Sequence, residues 1–253
     1  TGTTGEDLNS YTGITFVEGG RIEFAADNAF GSSDVIVSDG ATVDLGSFSQ
    51  ATPNIVAEGD DALAGTGQYT LTEQSGQSSI LGHNTNFHGD FEVGGNHALT
   101  IGEVDSLGVD IEGHNTNVTL AEDSSELVMS GVSGNFTTDI AGSGTVSFVA
   151  DNKATADVII NTSDLAGFTG NYAIDAGSML TLVNNQTDWN FSTEVSGGEN
   201  GNGTLVFQGT GDFTFANANQ SDSFAGGTYV FDGLTVAVGN GNANELNLQK
   251  TNG

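Results

Sequence analysis

The sequence predicts an all-β solenoid, a coil of short parallel strands, on three observations. First, from Gly201 to Val238 the apolar residues come in alternating pairs, Leu205/Phe207, Phe213/Phe215, Tyr229/Phe231 and Leu234/Val236, separated by clusters of Gly, Asn, Asp and Ser. A two-residue period broken by turn formers reads as strand, turn, strand, with no room for a helix. Second, the frame recurs along the chain. Gly65-Thr66-Gly67 leads into Tyr69/Leu71, Gly142-Ser143-Gly144 into Val146/Phe148 and Gly201-Asn202-Gly203 into Leu205/Phe207, while an aromatic stands two residues before a glycine at Tyr11, Phe87, Phe168 and Phe224. Third, two apolar pairs joined by a fixed step across a glycine-containing turn occur at Ile14/Phe16 with Ile22/Phe24, Val35/Val37 with Val43/Leu45, Phe91/Val93 with Leu99/Ile101, and Tyr172/Ile174 with Leu180/Leu182. The step from Ile14 to Val35, like that from Leu99 to Val118, sets a period near twenty.

In chain order, residues 1–10 are a polar lead-in and 11–50 form two rungs. Residues 51–64, with Pro53 and the pair Asp60-Asp61, read as an irregular turn or lateral loop. Rungs continue over 65–131, where the pentapeptide GHNTN occurs at 82–86 and again at 113–117. A further block spans 133–182 with a loop at 151–157, and 184–200 carries Trp189 and a Gly/Asn-rich turn before the last block and a polar tail at 240–253. No linker divides the chain, so 1–253 reads as one segment. In a three-sided coil with turns about 4.8 Å apart, roughly twelve rungs make a rod about 60 Å long. Phe16, Leu45, Ile174 and Phe231 are expected to point inward into a dry core, with Thr15 one step off that face. Gly and Asn are expected at corners that need a positive φ.

Charge excludes several partners. The chain carries 33 Asp and Glu against three basic residues, Arg21, Lys153 and Lys250, for a formal net of -30. Such a chain cannot neutralise phosphates, which disfavours nucleic acid and anionic membranes, and it keeps an extended surface soluble. There is no cysteine, hence no disulfide, thiol nucleophile or Cys-ligated zinc. No apolar run approaches the roughly 20 residues that span a bilayer, and no signal peptide opens at Thr1, as expected of an excised mature fragment.

Candidate chemistry is sparse. His83, His88, His97 and His114, with Asp90 and Glu92 nearby, are metal-ligand types, but they lack the i, i+4 or Cys-paired spacing of a metal site. The repeated GHNTN reads instead as a stacked corner whose Asn and His bond backbone groups. A polysaccharide lyase wants clustered basic residues, and Arg21 and Lys153 stand in different blocks. A hydrolase needs carboxylates converging at about 5 to 9 Å, and adjacent Asp60 and Asp61 point to opposite faces of an extended chain. A GDSG nucleophile signature, the GGxGxDxUx calcium nonapeptide and an EF-hand loop are all missing. Trp189 and Phe191 are candidates for a sugar groove, with inward packing the simpler use of alternating aromatics. No catalytic, cofactor or metal site is expected.

The segment YTGITFVEGGRIEF at 11–24, DVIVSDGATVDLGSFSQ at 34–50 and the openings GSGTVSF and GNGTLVF resemble the strand repeat of autotransporter passenger domains, as in AIDA-like and antigen 43-like adhesins. The resemblance covers most of the chain. It implies a right-handed parallel β-helix, secreted by the type V route through an outer-membrane barrel that lies outside this sequence, and displayed on a Gram-negative cell surface. It further implies a non-enzymatic adhesin that promotes aggregation, biofilm formation or host attachment, with another copy in trans, a host matrix protein or a glycan as partner, and without insertion of this segment in the membrane. The alternatives are a polysaccharide-active enzyme on the same coil and a structural stalk that displays another domain.

Overall fold

The computed structural model describes residues 9–72, 75–152, 154–186, 189–191, 193–197, 201 and 203–215, together with strands Gly227–Val230, Val236–Val238 and Leu248–Lys250. Nine strands form one long sheet: Ile14–Val17, Asp34–Val37, Ile55–Ala57, Gln77–Ile80, Ala98–Ile101, Glu126–Ser130, Thr145–Val149, Asn171–Ile174 and Val195–Gly197. Each pairs in parallel with the strand one turn away, so the chain is a parallel β-solenoid of about nine turns. One six-stranded sheet runs from Gln50–Thr52 through Gln68–Leu71, Asp90–Val93, Asn117–Leu120 and Asp139–Gly142 to Gly167–Phe168. Another runs from Ser133–Phe136 to Leu248–Lys250, and two three-stranded sheets complete the coil. Among the described residues the only helical turn is Thr162–Leu165.

The turns are unequal, because the connections between paired strands differ in length. The step from Val35 to its partner Ile55 is short, that from Tyr172 to Val195 is longer, and that from Leu99 to Leu127 is longer still. The step from Leu99 to Val118 joins two different sheets and is no repeat at all. Residues 51–64 are a regular turn of the coil rather than a loop. Gln50–Thr52, Ile55–Ala57 and Leu63–Ala64 are strands there, and Pro53 occupies the corner between the first two, where no ladder donor is needed.

The first rung corrects one expected face. The register pairs Thr15 with Val35 and Phe16 with Ile36, one position short of the spacing that would place Phe16 over Val37. A slip of one residue exchanges the two faces of a strand. Phe16 is therefore outward and 59% exposed, and Thr15 points inward, its hydroxyl 2.8 Å from that of Ser33. Leu45 and Ile174 are fully buried as expected; Phe231, Phe224, Leu234 and Lys153 lie outside the described residues.

Core columns follow the register. Val17, Val37, Ala57, Ile80, Ile101, Met129, Phe148 and Ile174 succeed one another along the long sheet, all buried. Beside them Tyr69 stacks on Phe91 at 5.5 Å. The two recurring sequence signatures turn out to sit on each other. His88 N–H donates to the Gly65 carbonyl and Asp90 N–H to that of Gly67; farther along, Thr169 donates to Gly142 and Asn171 to Gly144. Phe87-His88-Gly89 and Phe168-Thr169-Gly170 are thus each seated on the Gly-x-Gly of the preceding turn. A β carbon on Gly89 would lie 1.9 Å from the Gly67 carbonyl oxygen, and one on Gly170 1.8 Å from that of Gly144. No side chain fits there.

Among the described residues the core holds two phenols whose hydroxyls have no hydrogen-bond partner, Tyr69 and Tyr172. Burial pushes the pKa of both far up, and for Tyr69 the nearby Asp44 carboxylate adds to the effect. An unsatisfied buried hydroxyl is a cost of about 1–3 kcal/mol. Tyr69→Phe and Tyr172→Phe are therefore expected to raise stability in urea titration, each by about 1 kcal/mol. A loss of stability in either would reveal a polar partner for that hydroxyl.

Candidate functional surface

The four histidines are spread over separate environments. His83 lies exposed at a corner, with its backbone N–H on Asp60 Oδ1 at 2.9 Å and its Nδ1 bonded to Asp105 Oδ1 at 2.5 Å. That bond raises the imidazole pKa above its ordinary value; desolvation opposes the rise, and the charges of Asp105, Glu103 and Asp60 support it. His88 uses Nδ1 on the Val109 carbonyl at 2.7 Å. His97 is fully buried, its Nε2 2.8 Å from Ser78 Oγ, which itself accepts the Ile55 N–H. His114 Nε2 stands 3.9 Å from Asp90 Oδ1. Among the described residues no group of three or more His, Asp or Glu is gathered so as to hold a metal ion.

The repeated pentapeptides do not stack as one corner. In the first, Asn84 is buried and bonds the backbone, accepting Leu63 N–H at 2.9 Å and donating to the Ser106 carbonyl at 2.8 Å. The second runs straight into the strand Asn117–Leu120, and its Asn115 is exposed. The register seats Asn117 beside Asp90, whereas the matching residue of the first copy is Asn86, so the spacing of the copies is not the spacing of the turns.

The remaining candidates all make contacts within the coil. Asp60 and Asp61 occupy a tight turn with Asp61 at φ 53°, each caught by its neighbour turn: Asp60 by His83 N–H, Asp61 by the Thr85 hydroxyl at 3.3 Å. Arg21 pairs with Asp44, whose other oxygen accepts Gly46 N–H at 2.8 Å. Trp189 meets Phe191 and Phe213 edge-on at 5.6 and 5.8 Å, and Phe191 is buried, so these rings extend the core.

Two outer faces carry the distinctive surface. On the first six-stranded sheet the outward column reads Gln68, Asp90, Asn117, Asp139. Asn117 Nδ2 donates to Asp90 Oδ1 at 2.9 Å, and Asn115 Nδ2 to Asp139 Oδ2 at 3.2 Å. Carboxamides thus separate carboxylates that would otherwise stack one strand spacing apart. Desolvation raises the pKa of Asp139, opposed by the Asn115 bond and helped by the charges of Asp164 and Asp110. On the long sheet the central outward column is Phe16, Ile36, Val56, Ser79, Thr100, Val128, Ser147, Ala173, Ser196, with no acid or base among them. Hollows mark this face among the described residues. One of about 570 Å³ is bordered by Glu126, Val128, Ser147, Ala173 and Asp175, where the Ser147 hydroxyl donates to Glu126. Another, of about 430 Å³, is lined by Ile14, Ile36, Val56, Asn54 and Gln77. Sequence reading misses both, because they depend on which column faces out, and a one-residue slip conceals that.

No family model matches the chain, and no solved structure matches it. Over 96% of its length it is 29% identical to the adhesin BmaC autotransporter of Brucella suis, and over 96% it is 24% identical to the uncharacterized lipoprotein YdeK of Escherichia coli. The chain spans 6% and 20% of the length of these two relatives. The distant homology to an autotransporter adhesin supports the autotransporter passenger class.

Proposed function

We propose that this chain is a length of cell-surface autotransporter passenger that acts without catalysis in adhesion. The observation that carries the reading is a match along nearly the whole chain to an autotransporter adhesin, on a parallel β-solenoid. In this reading the coil is right-handed and three-sided, with roughly twelve rungs. It is displayed outside a Gram-negative cell and held by an outer-membrane barrel, and it serves aggregation, biofilm formation or host attachment in the manner of AIDA-like and antigen 43-like adhesins. The small share of the relatives that it spans favours a second reading, a spacer that carries another part of a longer protein.

Display of residues 1–253 on a non-aggregating bacterium separates the two. Adhesion predicts clumping or capture on matrix proteins and glycans; a spacer predicts neither. A net charge of -30 repels its own kind, and at physiological salt the repulsion decays over about 8 Å. Attraction must then come from short-range contacts, so clumping is expected to strengthen as salt rises. Clumping that weakens steadily with salt would show that opposite charges hold the cells together, and would overturn this account of the attraction.

A further inference from the structure

One corner of the coil gathers carboxylates from successive turns around an imidazole. Asp60 and Asp61 stand on the turn before His83, and Glu103 and Asp105 on the turn after it; its own corner, residues 82–86, holds no other charged group. The contacts run both ways along the axis. His83 N–H donates to Asp60 Oδ1 at 2.9 Å, and the His83 carbonyl accepts Asp61 N–H at 2.6 Å. On the other side Nδ1 lies 2.5 Å from Asp105 Oδ1 and Nε2 3.9 Å from Glu103 Oε2. Fixed cations are scarce: the chain has three Lys and Arg, and Arg21 is engaged by Asp44.

Protonation decides how firmly this corner is joined. A carboxylate only accepts hydrogen bonds, so the contact with Asp105 places a proton on Nδ1. In the neutral ring Nε2 then turns a lone pair toward Glu103, acceptor against acceptor; in the imidazolium it becomes a second donor aimed at an opposite charge. We propose that His83 is an acid-engaged clasp between turns: with a proton gained it ties Glu103 and Asp105 of the following turn to the turn of Asp60 and Asp61, and with that proton lost the four carboxylates repel across the corner. The contacts give the sign. The Asp105 bond, opposed by desolvation and joined by the charges of Asp105, Glu103 and Asp60, holds the imidazole pKa above its ordinary value. A raised folded pKa adds stability that is complete below the unfolded value of about 6.5 and is lost as pH rises through the folded value. The clasp is therefore tightest in mild acid, above the range in which carboxylates take up protons, and slack at alkaline pH. The ring is 49% exposed, so solvent screens the gain and confines it to the opening of this corner. The clasp stands independently of the adhesive reading.

Amide hydrogen exchange, corrected for the intrinsic rate at each pH, reads the clasp in the full chain. Protection of the Asp61, His83 and Asn84 N–H groups, which bond across this corner, is expected to rise severalfold from about pH 8 to about pH 6. The reference is Asn171 N–H, bonded to the Gly144 carbonyl far along the coil, against which the rise is measured. His83→Gln, which can bond but cannot charge, is expected to abolish the rise, and Glu103→Gln to reduce it. Followed by NMR, the His83 ring is expected to titrate above about 6.5 in the unmodified chain and lower in Glu103→Gln. Melting at about pH 8, where the clasp is slack, is expected to be close in all three chains, which shows that the variants fold. The titration of the unmodified chain decides the matter without any variant: a midpoint at or below about 6.5 would overturn the clasp. So would a rise in protection that survives His83→Gln.

Discussion

Gly170→Ala is expected to cost about 3 kcal/mol or more, at the upper end of what overpacking a core does. The added carbon would fall 1.8 Å from the Gly144 carbonyl oxygen, and that oxygen already accepts the Asn171 N–H at 3.0 Å, so relief of the clash breaks the ladder between two turns. The Phe168 ring blocks escape sideways, 2.8 Å from the same point. Gly19→Ala is the control: nothing lies within 4 Å of its β carbon, and its backbone is in an ordinary conformation. Chemical denaturation of the two variants checks the expectation. A Gly170→Ala protein as stable as Gly19→Ala would mean that the turns do not approach so closely.

Ile174→Asp is expected to be at least as damaging, by about 3–5 kcal/mol, the penalty for a buried charge without a partner. Ile174 is fully buried, stacked against Phe148 of the preceding turn, in a chain that offers three cations in all. Thr100→Asp, outward between Ser79 and Val128, is expected to change stability by no more than about 0.5 kcal/mol. In a solenoid each turn contacts only its neighbours, so hydrogen exchange should show the loss concentrated around the strands Thr145–Val149 and Asn171–Ile174. Uniform loss of protection along the chain would argue instead for a single cooperative unit.

Strand positions were legible because a buried face imposes its period on the residues: Val35/Val37, Phe91/Val93 and Tyr172/Ile174 are all buried where alternation places them. Register was not. It depends on the lengths of connections, and the long stretch between Leu99 and its partner Leu127 carries no mark of its excess. The first rung shows the cost of that: Ile14 and Phe16 look like core residues because they alternate, yet the pairing of Thr15 with Val35 places Thr15 and Val17 inside. For the surface the limit is sharper. The His83–Asp105 bond and the alternation of Asp90, Asn117 and Asp139 join residues brought together by winding alone, and no local pattern announces them. The glycine signatures were visible as recurrences, but their reason, one signature seated on the other across a turn, needed coordinates.

Because every strand pairs with the strand one turn away, the inter-strand hydrogen bonds run along the axis of the coil, across the strands. A pull along that axis therefore meets no sheared strands. It opens one turn's bonds at a time, starting from an end, in the manner of a peeled ribbon. Each turn released, such as that from Val146 to Tyr172, yields up to about 85–95 Å of extended chain. Under tension such a molecule lengthens by discrete steps at modest force, and it can rewind when the load is removed, so a tether built this way absorbs a sudden pull by giving up turns before its anchorage is strained.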